Sequence, residues 1–178
     1  MLIERHERYD TLLQQYAPVI GADYMAYRNH GYRMMNYCLA LAGEQPDGLE
    51  KVGIAAAFHD LGIWTDHTFD YLPPSERLAR DWLVQQGKTE WVDEVVAMIA
   101  EHHKVSACGP AQGPLVEAFR RADWVDVTLG LRRFGLPRSL MREVNAVFPN
   151  EGFHWRLVQL SASQAWHHPL NPLPMFKR

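Results

Sequence analysis

Cysteine is nearly missing from this chain of 178 residues: only Cys38 and Cys108 occur, far apart and without the spacing of a redox pair or a zinc ribbon. Disulfides are therefore not what holds the fold, and a reducing compartment is expected. Long apolar runs are also absent, since a stretch such as GIAAAF falls far short of the roughly 20 residues a membrane helix needs. The opening MLIERHERYD alternates charges where a signal peptide would carry an apolar core. Neither export nor membrane insertion is expected, and the expected location is cytoplasmic. No long run of one charge sign appears, and 18 Lys+Arg against 21 Asp+Glu leave a net charge of −3. That balance provides no electrostatic footprint for a nucleic-acid polymer or an anionic membrane, so a small neutral or anionic metabolite is the better partner. The phosphate-cradling pattern GxxxxGK[ST] is missing too, which sets aside kinases and NTPases of that type. Clean alternation with β-branched enrichment never lasts beyond a few residues, which argues against strands.

What is present is apolar residues at intervals of three and four through most of the chain, the mark of an all-α protein. The pattern predicts a single-domain bundle of about seven or eight helices. They run over Ile3–Tyr16, Ala22–Ala42, Leu49–Gly62, Ser75–Gln86, Thr89–Lys104, Pro114–Leu129, Pro137–Val147 and Gly152–His167. Pro73 and Pro74 precede Ser75, a suitable N-cap, and Gly87 suits the other end of that helix. Thr89 is the expected cap of the next helix, whose early turns are acidic and whose end carries Lys104, as the helix dipole prefers. No repeat or linker divides residues 1–178. The proline-bearing tail HHPLNPLPMFKR cannot continue a helix, and Leu170, Leu173, Met175 and Phe176 favour its being packed.

Histidine is the residue in excess, with nine copies, several of them at positions where the periodicity calls for an apolar side chain. His30 and Arg33 share a face with Ala26, Tyr37 and Leu41, and His59 shares one with Val52, Ala56 and Ile63, with Asp60 beside it. His102 and His103 straddle the stripe Val92, Val95, Ile99, and Asp123 and Asp126 continue the stripe begun by Val116 and Phe119. Any one of these alone reads as a hydrogen-bonded core residue. Together they place His or Asp on the inner faces of four helices, where uncompensated charge costs several kcal/mol. A divalent metal held between helices compensates all of them at once, with neutral imidazole and ionised carboxylate as ligands.

The ordered set formed by His30 in AYRNHGYRMM, His59-Asp60 in AAAFHDLGIW, His102 in MIAEHHKV and Asp123 in FRRADWVD resembles the HD-domain metal-dependent phosphohydrolases. The likeness covers residues 24–130, leaving the first helix and the C-terminal helices and tail, residues 131–178, unmatched. It implies His30, His59, Asp60 and Asp123 as metal ligands, Asp60 being able to bridge two ions, and His102 as a residue lining the site or ligating a second ion. Two-metal relatives supply extra histidines between the doublet and the last Asp, where this chain offers His67, Ser75, Glu76, His102 and His103. One ion per chain is therefore expected, with two as the alternative; Mn, Fe, Co, Ni, Mg and Zn all suit a mixed N/O site.

The implied activity is hydrolysis of a small phosphate ester, of which a nucleotide is one type, by metal-activated water. Asp60 and His102 belong to the catalytic set; Arg33 and Lys104 are the cations available for phosphoryl oxygens, and Asp126 or Glu76 could orient water or protonate the leaving group. Arg33 reads equally as partner of a core carboxylate, and Lys104 as a partner of the helix dipole. The segment WTDHTFDYLPPS after the doublet is expected over the metal mouth, with Asp66, His67, Asp70, Tyr71, Glu76 and His103 as candidates for substrate contact. Two other functions fit the same residues: an HD-type di-iron oxygenase, and a non-catalytic ligand-binding regulatory module. A homo-oligomer is compatible with everything above.

Overall fold

The first helix, α1 (Glu7–Ile20), starts later than the apolar pattern predicts because His6 caps it: His6 Nδ1 accepts a hydrogen bond from the Tyr9 N–H at 3.1 Å. In the computed structural model, which describes residues 2–170 and 174–175, this helix lies against the centre of an all-α bundle with no strand among the described residues. That centre is α2 (Tyr24–Ala42), preceded by a 3-10 turn at Gly21–Asp23. It is buried nearly all round from Ala26 to Cys38, which explains why its sequence shows little amphipathic contrast.

Around α2 stand α3 (Gly48–Phe58), the single turn α4 (Gly62–Thr65), α5 (Leu72–Gln85), α6 (Val92–Glu101) and α7 (Pro114–Val127). The most extensive packing is α2 on α7, with α3 and α6 completing the ring that encloses the core. Small residues let α3 approach closely, since Gly53, Ala55, Ala56 and Ala57 are all buried. Phe58, Phe119, Tyr27 and Ile54 fill the centre, each burial stabilising the fold by about 1.5–3 kcal/mol. Two further helices, α8 (Arg138–Val147) and α9 (Phe153–His167), lie outside this ring and reach α2 at its edge.

Each predicted helix is found, and the differences lie at the ends. The α3 helix stops at Phe58 rather than Gly62, so the His59-Asp60 doublet occupies the turn leading into α4. Ser75 is not an N-cap: α5 begins at Leu72 with the prolines inside its first turn, where their missing N–H groups cost nothing. The Ser75 hydroxyl is buried and accepts from the Gly62 N–H at 3.0 Å. Thr89 opens a 3-10 turn, Thr89–Trp91, and α6 itself starts at Val92 and ends before His102. In the tail Met175 is buried and Leu170 fully exposed, while Leu173 and Phe176 lie outside the described residues.

Gly62 explains why the doublet is followed by glycine. A Cβ there would stand 2.5 Å from the Tyr71 carbonyl oxygen and 2.8 Å from Pro74 Cγ, so only glycine lets the returning chain lie against the turn. That close return carries Tyr71 and the start of α5 to the doublet. No helix among the described residues is long and apolar enough to cross a membrane.

Candidate metal centre

The inner faces of α2 and α7 and the two turns after α3 and α6 bring six predicted residues together. His30 Nε2 lies 3.1 Å from His59 Nε2 and 3.7 Å from Asp123 Oδ1. Asp60 stands between two imidazoles, with Oδ2 3.3 Å from His59 Nε2 and Oδ1 3.3 Å from His102 Nε2. His103 closes the group, its Nδ1 3.3 Å from Asp123 Oδ2 and its Nε2 hydrogen-bonded to the Tyr71 hydroxyl. Apart from the half-buried His103, all of these are at most 3% exposed.

The protonation pattern follows from what surrounds the rings. His30 Nδ1 lies 2.6 Å from Asp126 Oδ2, His59 Nδ1 2.9 Å from the Ala56 carbonyl and His102 Nδ1 2.7 Å from the Ile99 carbonyl. A carboxylate and two carbonyls only accept, so in each ring Nδ1–H donates, and in the neutral ring Nε2 presents a lone pair. With the rings neutral, three such lone pairs and the oxygens of Asp60 and Asp123 face one another with no donor among them. Asp60 Oδ1, His102 Nε2 and both Asp123 carboxylate oxygens accordingly lack a hydrogen bond, although they are buried. Such orphaned acceptors are rare in native interiors, and a cation between them satisfies all at once. The donor set fits a divalent metal of borderline softness, each imidazole oriented from behind by its Nδ1–H.

Charge leads to the same place. Asp60, Asp123 and Asp126 are buried with the guanidinium of Arg33, while the buried Arg120 pairs with Glu117, so the centre carries two excess negative charges when its imidazoles are neutral. Burial raises the affinity of each carboxyl for protons, but the neighbouring imidazoles outweigh it and hold Asp60 and Asp123 below the ordinary carboxylate range. The same balance appears in His102, where burial disfavours the charged ring but Asp60 and Asp123 raise its pKa overall.

Two ligand groups share one residue: His30, His59 and Asp60 form one, and Asp60, His102 and His103 form the other, with ligand atoms in each within 4.8 Å of one another. The turn after α6 directs both His102 and His103 at the centre, so the ligand groups are compatible with the expected single ion and with the alternative of two. His103, expected at the substrate, is thus among the residues that could hold an ion, and of the two roles expected for His102 its position suits ligation of a second ion. Asp126 faces the back of His30, not the space in front of it. Arg33 is 1% exposed and occupied on both edges, donating to Asp126 Oδ1 from Nε at 2.6 Å and to Oδ2 from Nη2 at 2.7 Å, so of its two readings the core partner is observed. Burial alone would raise the Asp126 carboxyl, but His30 and Arg33 hold it far below the ordinary range. Lys104 pairs with Glu101 at 3.1 Å, a contact that neither of its expected roles included.

The segment after the doublet divides. Tyr71 turns inward to His103, whereas Asp66 is exposed, pairs with Arg77 at 3.0 Å and accepts from the Thr65 hydroxyl. His67, at a φ of 49°, lines an outer groove, Asp70 is exposed, and half-buried Glu76 rides on α5 beside Ser75. The loop thus covers only the outer approach. What closes the centre is α9, which the sequence reading left outside the site. Phe153 stacks on the His30 ring with centroids 4.0 Å apart, and His154 Nε2–H donates to the Asp126 carbonyl at 2.8 Å. A cavity of about 10 Å³, the room of a single water, reaches Asp60 between Tyr27, Trp64, Phe153 and Arg156. The apolar period of α9 marks Phe153 as inward-facing, but no signal in it says that the surface underneath is an imidazole. Comparison of the chain with family models, curated proteins and solved structures yields no match.

Proposed function

We propose that this protein is a metal-dependent phosphohydrolase of the HD-domain kind, cleaving a small phosphate ester. The observation that carries this reading is a set of buried acceptors without a hydrogen bond, Asp60 Oδ1, His102 Nε2 and both Asp123 carboxylate oxygens, gathered among the rings of His30, His59 and His103. A divalent cation bound there supplies Lewis acidity, lowering the pKa of a water toward neutrality, and positive charge for the phosphoryl oxygens.

The chain's own residues prepare the site for that chemistry. Asp126, clamped by Arg33, holds His30 in the tautomer whose Nε2 is a ligand, and the Ala56 and Ile99 carbonyls do the same for His59 and His102. Tyr71 fixes the orientation of His103 through its hydroxyl. Phe153 covers the His30 ring and keeps bulk water from the back of the centre, which strengthens every electrostatic interaction within it. Two ions sharing Asp60 fit the two ligand groups better than one.

A specific observation also favours the oxygenase reading: four imidazoles and two carboxylates are close to the six protein ligands a di-iron site needs. One set of measurements separates the two. Metal content is determined on gently purified protein, and a panel of phosphate esters is then assayed with the identified ion restored. Phosphate release supports the hydrolase; two irons with visible absorption on oxidation and oxygen uptake, but no phosphate release, replace it with the oxygenase. Nucleotide binding without turnover across several metals leaves the regulatory module.

A further inference from the structure

The cavity that touches Asp60 does not end there. Its outer wall of Ile63, Trp64, Arg156 and Leu160 is shared with an open groove of about 300 Å³ between α4, the loop after it and α9. The two spaces thus adjoin at the same four side chains, the inner one lined also by Asp60 of the candidate centre. We infer that this groove is the binding site for the ester, with Arg156 at its threshold pairing the phosphoryl group and Trp64, Phe69 and Leu160 receiving a flat, apolar alcohol. The inference rests on the phosphohydrolase reading and names the substrate class for it.

Three observations carry it. A phosphoryl group needs a cation, and of the two expected cations Arg33 is buried on Asp126, while Lys104 lines neither the cavity nor the groove. Arg156 is the guanidinium lining the cavity that reaches Asp60. Its side chain is 41% exposed and held by one ion pair, Nε to Asp23 Oδ2 at 2.9 Å, where Trp64 Nε1–H also donates at 3.0 Å. An exposed pair of this kind contributes about 0–1 kcal/mol, so the guanidinium can exchange Asp23 for a phosphoryl oxygen at little cost. Swinging it aside also widens the narrow passage toward Asp60. The groove itself pairs an apolar floor of Ile63, Trp64, Phe69 and Leu160 with a polar rim including His67 and Ser163, the lining that small-molecule sites use.

The test uses the full chain loaded with its identified ion, and phenyl phosphate, glycerol 2-phosphate and inorganic phosphate as probes. Leu160→Trp fills the groove, and the ratio of kcat/KM for phenyl phosphate to that for glycerol 2-phosphate is expected to fall about tenfold or more. Ser163→Trp at the rim is a second filler should the first disturb packing. Arg156→Gln is expected to raise KM for both esters about tenfold. A readout independent of turnover is the rate at which EDTA strips the ion: inorganic phosphate slows it in the wild type and no longer does so in Arg156→Gln. A ratio within about twofold of wild type in both fillers, or undiminished protection by phosphate in Arg156→Gln, overturns the inference while ester hydrolysis stands. Failure of the wild type to release phosphate from either ester overturns the hydrolase reading and the inference together.

Discussion

Replacing Asp60 by asparagine tests the centre with almost no change in shape. With neutral imidazoles the metal-free wild type carries two excess negative charges at the centre, and Asp60 Oδ1, His102 Nε2 and both Asp123 oxygens are buried without a hydrogen bond. An ion present at a thousand times its dissociation constant adds about 4 kcal/mol of stability. For a domain of this size each kcal/mol moves the melting temperature by about 2–4 °C, so restoring the ion to chelator-treated protein is expected to raise it by about 8–16 °C. Asp60→Asn removes the one residue common to both ligand groups, so metal content falls to near zero and the thermal shift disappears. The same change removes one buried charge and puts an amide N–H₂ opposite one of the two imidazoles that stand 3.3 Å away, so the metal-free variant is expected to melt no lower than the metal-free wild type. The assays are elemental analysis and thermal melts with and without Mn, Fe, Co, Ni, Mg or Zn. A wild type that shifts by less than about 1 °C with every ion, or a variant that keeps the full shift, refutes the reasoning and leaves these residues holding only one another.

Four further outcomes are expected. His102→Gln retains the His30, His59, Asp60 group and so about half the metal of a two-ion wild type, whereas equal content in both proteins places a single ion away from His102. Arg33→Met strands the buried Asp126 carboxylate and costs about 3–5 kcal/mol in denaturant unfolding; a loss under about 1 kcal/mol contradicts the clamp described for that pair. Gly62→Ala forces a methyl group against the Tyr71 carbonyl and costs about 1–3 kcal/mol, opposite to the gain usual for alanine at helical positions. Glu117 gives a pH signature outside the centre: burial alone would raise its pKa, but Arg120, the Cys108 N–H and Arg121 hold it at about 2 against an ordinary 4.5. A depressed carboxyl stabilises the fold above its unfolded pKa and loses that contribution as pH falls from about 4.5 to about 2, so Glu117→Gln flattens the acid limb of stability in that window when urea midpoints are compared.

Much of the centre was legible because a helix reports its inner face through spacing alone. His30, Asp123 and the doublet stood on apolar stripes, and the expense of burying them pointed to a shared cation before any contact was known. The roles of Arg33 and Asp126 were less legible: periodicity places both inward but does not say that, some ninety residues apart, they meet as a bidentate pair behind His30. His103 was obscured for a different reason. Adjacent residues on a continuing helix diverge by about 100°, and His102 and His103 were read as straddling the apolar stripe, with His103 assigned to substrate contact. Because α6 stops at Glu101, the turn that follows directs both rings inward.

The sequence by itself determined an all-α chain, the approximate extent of its helices, and a set of inward histidines and aspartates whose burial demanded compensation. These are local properties, set by the repeat of the helix and the cost of desolvating charge. Only the tertiary structure decided which atoms meet: that Asp60 lies between two ligand groups, that Arg33 belongs to Asp126, and that α9 places Phe153 and Arg156 over the opening. Those are outcomes of packing between segments distant in the chain, and the spacing within any one helix carries no record of the neighbour it will find.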